Sequence, residues 1–482
     1  MTDAPRSLPS SVDYTKILPL AVESRSRRRT FFPTNGQTFS SDGNNIIRID
    51  VSASAFLDPK HSYLKFAWTN STAQTAGLDF GGGHGFIRRL RIEQAGNVLS
   101  DCNHYGKLMS SIVLPSQGGI DSVAHRSVTE GVRFCNEGAA GNSNLQALAG
   151  EVSGATCNTP TNADTQIAAI AVGAAGTSYT FCIPLLNGLL GTTQDKMVPL
   201  QLLGASPITI EIELSPALDI GIYAAGIANA GYDVFDVRYV ASLVEVGPEV
   251  DQQLRMVQQA SGGRLVLNGV DFTHFSGNIG AGATGPQTIN VPARRKSLKS
   301  MFFVGASTTY AGAAAQQLVY NLSYGGNFNM TQYHMKIGSV VYPPTPIQAD
   351  LNVAGGPAAN RAEAFSELAK CWGTLGSATG TGSLSRINWA VADCDVANMA
   401  VTGAAGAPMP SHVFGGFGID LEAFQRTAIE SGVNTADRSL PISLVVDIGA
   451  LGVGAEAINV DCFVSFDSLY YIDSVGNISV SL

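Results

Sequence analysis

Strict alternation of apolar and polar positions runs through the chain. Ile47, Ile49, Val51, Ala53 and Ala55 alternate with Arg48, Asp50, Ser52 and Ser54, which predicts a strand with one face in a core. Leu64, Phe66 and Trp68 follow beyond an Asp58-Pro59 turn signal. Ile208, Ile210, Ile212 and Leu214 alternate with Thr209, Glu211 and Glu213, and Ile442, Leu444, Val446 and Ile448 with Ser443, Val445 and Asp447. Tracts of Gly, Ala, Ser, Thr and Asn at 137–177, 276–286, 373–383 and 400–410 read as long loops. Helical spacing is rare. Tyr105, Leu108, Met109 and Ile112 form one stripe with Asp101 as its N-cap; Phe365, Leu368 and Trp372 form another, opened by Pro357. A third helix starts at Gly247-Pro248-Glu249 and stops at Gly262-Gly263, with Val250, Leu254 and Val257 on one face.

The two sides of that third helix repeat each other. Pro207–Leu214 corresponds to Pro441–Ile448, an offset of 442 − 208 = 234, and each is followed by one more apolar strand, Val237–Val246 or Phe463–Ile472. Leu90–Leu99 and Tyr333–Val341 are strand–Gly-turn–strand units ahead of an amphipathic helix, and Tyr179–Ile183 matches Val413–Ile419. Four matches in one order predict a duplicated domain of about 220 residues. A unit of that length with about eight strands is a β-sandwich, and the jelly roll is its usual eight-stranded form. The expected fold is all-β: two tandem eight-stranded jelly-roll β-sandwiches, a double jelly roll with a few short helices. The expected division is an N-terminal arm (1–35), a first jelly roll (36–248), a linker helix (249–263) that fixes the barrels through Val250, Leu254 and Val257, and a second jelly roll (264–482). Two unrelated β-domains on a tether are the alternative.

Composition agrees with two domains, because 482 residues exceed the ~250–300 at which one core stops growing. Hydrophobic residues make up 45% and charged residues 14%, which suits large cores and a surface covered by neighbours. The net charge is −9, yet residues 1–35 balance to +3, which leaves −12 for the rest. A basic arm on an acidic body predicts different inner and outer partners. Its densest part, Arg25, Arg27, Arg28 and Arg29, is a candidate contact for nucleic acid, an internal membrane or an inner protein, with a merely solvated charge run as the competing reading. The seven cysteines are scattered and contain no C-x-x-C, so reduced thiols are expected. With no apolar signal segment and no run of about 20 apolar residues, the chain reads as soluble and intracellular at synthesis.

Catalytic chemistry is mostly missing from the pattern. Gly81-Gly-Gly-His-Gly85 lacks the G-K-[ST] of a phosphate loop and reads as a turn before a strand. The seven histidines form no H-x-H or H-x-x-x-H pair, which speaks against a cupin-type metal site, although residues distant in sequence can still meet in space. Cys102 and His104 could meet at a metal, but without a second cluster they read as structural. Glu363 and Glu367 read as a solvated helix face, and Arg88, Arg89, Arg91, Arg294, Arg295 and Lys296 as sheet-surface or subunit-contact residues. The expectation is no enzyme: no catalytic residue, no metal and no cofactor.

Phe56–Phe66, Gly83–Ile92, Gly96–Leu99 and the junction Asp236–Val246 resemble the first barrel and linker of double jelly-roll major capsid proteins of icosahedral double-stranded DNA viruses. Ser431–Thr435 ahead of the 441–448 strand resembles the second barrel. The similarity is closest to polinton-like viruses and virophages and is distant to adenovirus hexon. It covers most of residues 40–482. It implies a homotrimer forming pseudo-hexameric capsomers that tile a shell around DNA, with penton and minor capsid proteins as further partners. It also implies a place in the virion, after assembly in host cytoplasm or nucleus. A β-sandwich carbohydrate-binding or carbohydrate-active protein is the alternative; it would normally show a secretory signal and a cluster of exposed Trp.

Overall fold

The computed structural model describes residues 24–71, 76–78, 81–117, 126, 128–131, 178–204, 206–223, 231–308, 322–323, 325–349, 361–372, 389, 416–422, 432–437, 439–450, 453 and 457–481. Residues 1–23 and the tracts 137–177, 373–383 and 400–410 lie outside them.

Two barrels follow one another, each made of two antiparallel sheets. In the first barrel one sheet has the order β1 (Ser24–Phe31), β12 (Tyr232–Val246), β4 (Phe56–Asn70), β8 (Tyr179–Ile183). The short strands β2 (Thr38–Ser40) and β9 (Val198–Pro199) extend it on β12 and β4. The facing sheet has the order β3 (Ile46–Val51), β10 (Ile208–Leu214), β6 (Ile87–Gln94), β7 (Asn97–Asn103). A separate ribbon pairs β5 (Ala76–Leu78) with β11 (Gly221–Tyr223). In the second barrel the orders are β13 (Leu265–Ile279), β20 (Ile458–Ile472), β15 (Leu298–Ser307), β18 (Gly416–Asp420), and β14 (Gly285–Asn290), β19 (Ile442–Ile448), β16 (Met330–Ile337), β17 (Val340–Gln348); β21 (Ile478–Ser481) adds to β20.

The two barrels share one strand order. β1, β3, β4, β6, β7, β8, β10 and β12 occupy the places of β13, β14, β15, β16, β17, β18, β19 and β20. That is eight equivalent strands per barrel among the described residues, and the 208 and 442 segments are the equivalent central strands β10 and β19. Their alternation does what it predicts: Ile208, Ile210, Ile212, Ile442, Leu444 and Val446 are all buried between the sheets.

Four local expectations change. The arm does not extend to residue 35, because Ser24–Phe31 is the first strand of the first barrel, paired along its length from Ser24–Val246 to Phe31–Tyr239. No alternation marks it, since residues 24–29 are exposed on both faces of the edge. Asp58-Pro59 does not end a strand; it forms a bulge inside β4, where Ser62 Oγ returns to Asp58 O at 2.6 Å and accepts the Ser242 N–H at 3.0 Å. The tract 276–286 is mostly strand, and its Gly277 is required because a Cβ there would stand 2.5 Å from Ile289. Asp101 is not a helix cap but lies in β7, held by Arg89 at 2.7 and 2.6 Å; His104 precedes the helix instead.

Candidate functional site at the seam between the barrels

The linker helix spans Pro248–Ala260, with Pro in its first turn and Glu249 and Asp251 placed where the helix dipole favours acids. Val250 and Leu254 are half-buried, and Leu254 packs on the core. Val257 does not join them, being 54% exposed; Gln258 takes its place, buried to 7%. The reason is polar. The Gln258 amide donates to Asp473 O at 2.9 Å and Ile472 O at 3.4 Å, carbonyls where β20 ends, which no valine could satisfy. On the other barrel Gln201 Nε2 donates to Asp251 Oδ1 at 3.2 Å. The helix is thus tied to both barrels.

The barrels meet along β7 and the 185–204 segment on one side and β13, β20 and β21 on the other. Asp271 of β13 is 2% exposed and gathers this seam. Its Oδ1 accepts from Ser100 Oγ at 2.9 Å, from the Gly188 N–H at 2.8 Å and from Asn187 Nδ2 at 3.4 Å, all in the first barrel. Its Oδ2 accepts from Tyr470 OH of β20. The backbones touch here: a Cβ on Gly269 would stand 1.9 Å from Gly188 O, so only glycine lets the strand and the loop approach. Gln94 supplies a second clamp, donating to Gly476 O at 3.0 Å and accepting the Ile478 N–H at 2.7 Å.

A third contact is ionic. Lys107 Nζ of the first barrel lies 3.3 Å from Asp461 Oδ2 of β20, and His274 Nε2 of β13 lies 2.8 Å from Asp461 Oδ1. The His104 ring of the first barrel lies against His274, tilted by 36° with centroids 4.4 Å apart. Burial, then the neighbouring His274, push the His104 imidazole from its ordinary 6.5 down to about 4. Asp461 is held well below the usual carboxylate range: burial opposes this, and Lys107, His274 and His104 outweigh it. Sequence spacing indicated no metal site, yet His104, His274 and Asp461 place a ligand atom each within 4.8 Å of one another; Cys102 is not among them.

The arginines of β1 lie elsewhere. Arg27 pairs with Glu245 at 2.8 Å, Arg28 lies over the Tyr63 ring at 5.7 Å and Arg29 over Phe31 at 4.9 Å. Arg29 also lines a polar cleft of about 320 Å³ with Ser52, Ser54, Gln201 and Ser206. Arg88 and Arg91 pair with Glu213 and Glu211 on the neighbouring strand, at 3.5 and 3.6 Å, as sheet-surface residues do. Gly82–Phe86 is a buried 3-10 turn leading into β6.

Sequence reading missed Asp271, Asn187, His274 and Asp461. One signal was present: Asp271 and Asp461 interrupt apolar runs, Val270-Asp-Phe272 and Val460-Asp-Cys-Phe463, where a lone charge needs a partner.

No protein-family model matches the sequence, and no curated protein matches it. Solved structures do. The PBCV-1 VP54 crystal structure, fitted into a reconstruction of the virophage Sputnik, has a TM-score of 0.54 and 9% identity over 97% of this chain and 99% of that one. A chain of the Sputnik virophage structure has a TM-score of 0.53 and 9% identity over 100% and 93%. The Faustovirus major capsid protein has a TM-score of 0.52 and 8% identity over 97% and 94%. The chain therefore has the double jelly-roll fold. None of these matches supports the carbohydrate-binding alternative.

Proposed function

We propose that this protein is a major capsid protein, the repeating tile of an icosahedral viral shell. The observation that carries the reading is the end-to-end match of both barrels, in tandem, to a protein named as a major capsid protein, over 97% of this chain. Matching one barrel would indicate only a common sandwich, whereas the pair and its locked seam make one rigid block. In this reading the chain catalyses nothing and its partners are first its own copies, as a homotrimer with a pseudo-hexagonal outline. Penton and minor capsid proteins, enclosed double-stranded DNA or an internal membrane would be met at the lattice and on the inner face. Arg25, Arg27, Arg28 and Arg29 are the proposed inner contact. They now stand on a fixed strand, so any anion they meet is met in register.

Purified protein is expected to scatter light as a particle of about three times 50.3 kDa and to show six-lobed outlines by negative-stain microscopy. A folded monomer at micromolar concentration, with no such outlines, would count against the reading.

A further inference from the structure

We infer that His104, His274 and Asp461 form a divalent transition-metal site that staples the two barrels together. His104 comes from the first barrel, at the end of β7, while His274 and Asp461 sit on the neighbouring strands β13 and β20 of the second. One ligand atom from each lies within 4.8 Å of the others. Tetrahedral zinc with bonds of about 2.0–2.2 Å holds its ligands roughly 3.3 Å apart. The His274–Asp461 contact at 2.8 Å therefore opens by about half an ångström and His104 closes on it, a side-chain adjustment within one cluster.

The donor set selects the ion. Two imidazoles and one carboxylate suit zinc, cobalt or nickel, and offer too few oxygens for calcium or magnesium. His104 is available as a ligand: among the described residues nothing hydrogen-bonds its ring, and one of its ring nitrogens lies within 4.8 Å of the His274 and Asp461 ligand atoms. Its backbone is left-handed at φ 51 and ψ 36, which sets the direction of the Cα–Cβ bond, and its ring lies against His274 with centroids 4.4 Å apart. Lys107 does not block the site. Its ammonium stands 3.3 Å from Asp461 Oδ2 and so holds that oxygen, leaving Oδ1 for the ion. Asn459 Nδ2, 3.2 Å from Oδ1, supplies the outer hydrogen bond that orients a ligating carboxylate. His104 is half-buried rather than sealed, so water completes the fourth position and provides the way in.

The test is a zinc titration by calorimetry on chelator-stripped full-length protein, with cobalt as a spectroscopic probe. One zinc per chain is expected, with a cobalt spectrum of tetrahedral intensity. His104→Asn should weaken zinc binding by more than about a hundredfold, beyond the loss typical of an outer-shell residue. Asparagine tolerates the left-handed backbone, so this variant keeps the fold. His274→Gln provides an independent arm. A wild-type protein that takes up no zinc would overturn the site. So would zinc binding unchanged in both variants, which would place the ion elsewhere.

Discussion

A single carboxylate, Asp271, organises the join between two domains. Four donors converge on it, three from one barrel and one from its own. Replacing Asp271 by Ala would leave Ser100 Oγ, the Gly188 N–H and Tyr470 OH without this acceptor in a site that is 2% exposed, while Asn187 Nδ2 keeps its bond to Ser100 Oγ at 2.7 Å. Each buried donor stranded in this way costs roughly 1–3 kcal/mol, and water entering the gap recovers part of it. The expected net loss is about 2–4 kcal/mol in denaturant unfolding. A variant as stable as wild type would show that the hub contributes nothing.

At the scale of the element, the linker helix gives a sharp contrast. Leu254 packs on the core while Val257, three residues on, is 54% exposed. Leu254→Asp should therefore destabilise the protein by about 2–4 kcal/mol, through lost burial and an unpaired charge. Val257→Asp should stay within about 0.5 kcal/mol of wild type. Thermal melts of the two variants read the difference directly. The stripe was legible in the sequence except at its last position, where hydropathy favours Val257 and hydrogen bonding favours Gln258. Strands with one buried face, such as β3 and β10, were legible for the same reason that they fold: their period matches the pleat. β1 was not, because an edge strand with arginines on both faces leaves no apolar trace. Those charges have a structural use as well, since they discourage a second sheet from pairing with the edge. The seam cluster was illegible because its members are joined only in space, with His274 and Asp461 187 residues apart.

At the scale of the whole molecule, the duplication was readable from four matched segments, but the clamp between the copies was not. That clamp should respond to acid. Folded His104 is held near pKa 4 against an ordinary 6.5, facing His274, Lys107, Arg88 and Asp461. Below about pH 6.5 the unfolded chain takes up a proton that the folded chain refuses. Stability therefore falls as pH drops through the window from 6.5 to about 4 and levels off below it, as far as this group is concerned. In metal-free protein, melting temperature should decline across that window in wild type and decline less in His104→Asn. Identical profiles would remove His104 from the acid response.

Each barrel is closed by joining its first strand to its last. Ser24 pairs with Val246 and Leu265 with Ile472, separations of 246 − 24 = 222 and 472 − 265 = 207 residues. During synthesis, then, neither barrel can shut until almost all of its chain has left the ribosome, and contacts of such range form slowly. β1 is the strand that waits longest, and it is the one coated in arginine. The same charge that hides it from hydropathy keeps it in solution until its partner arrives.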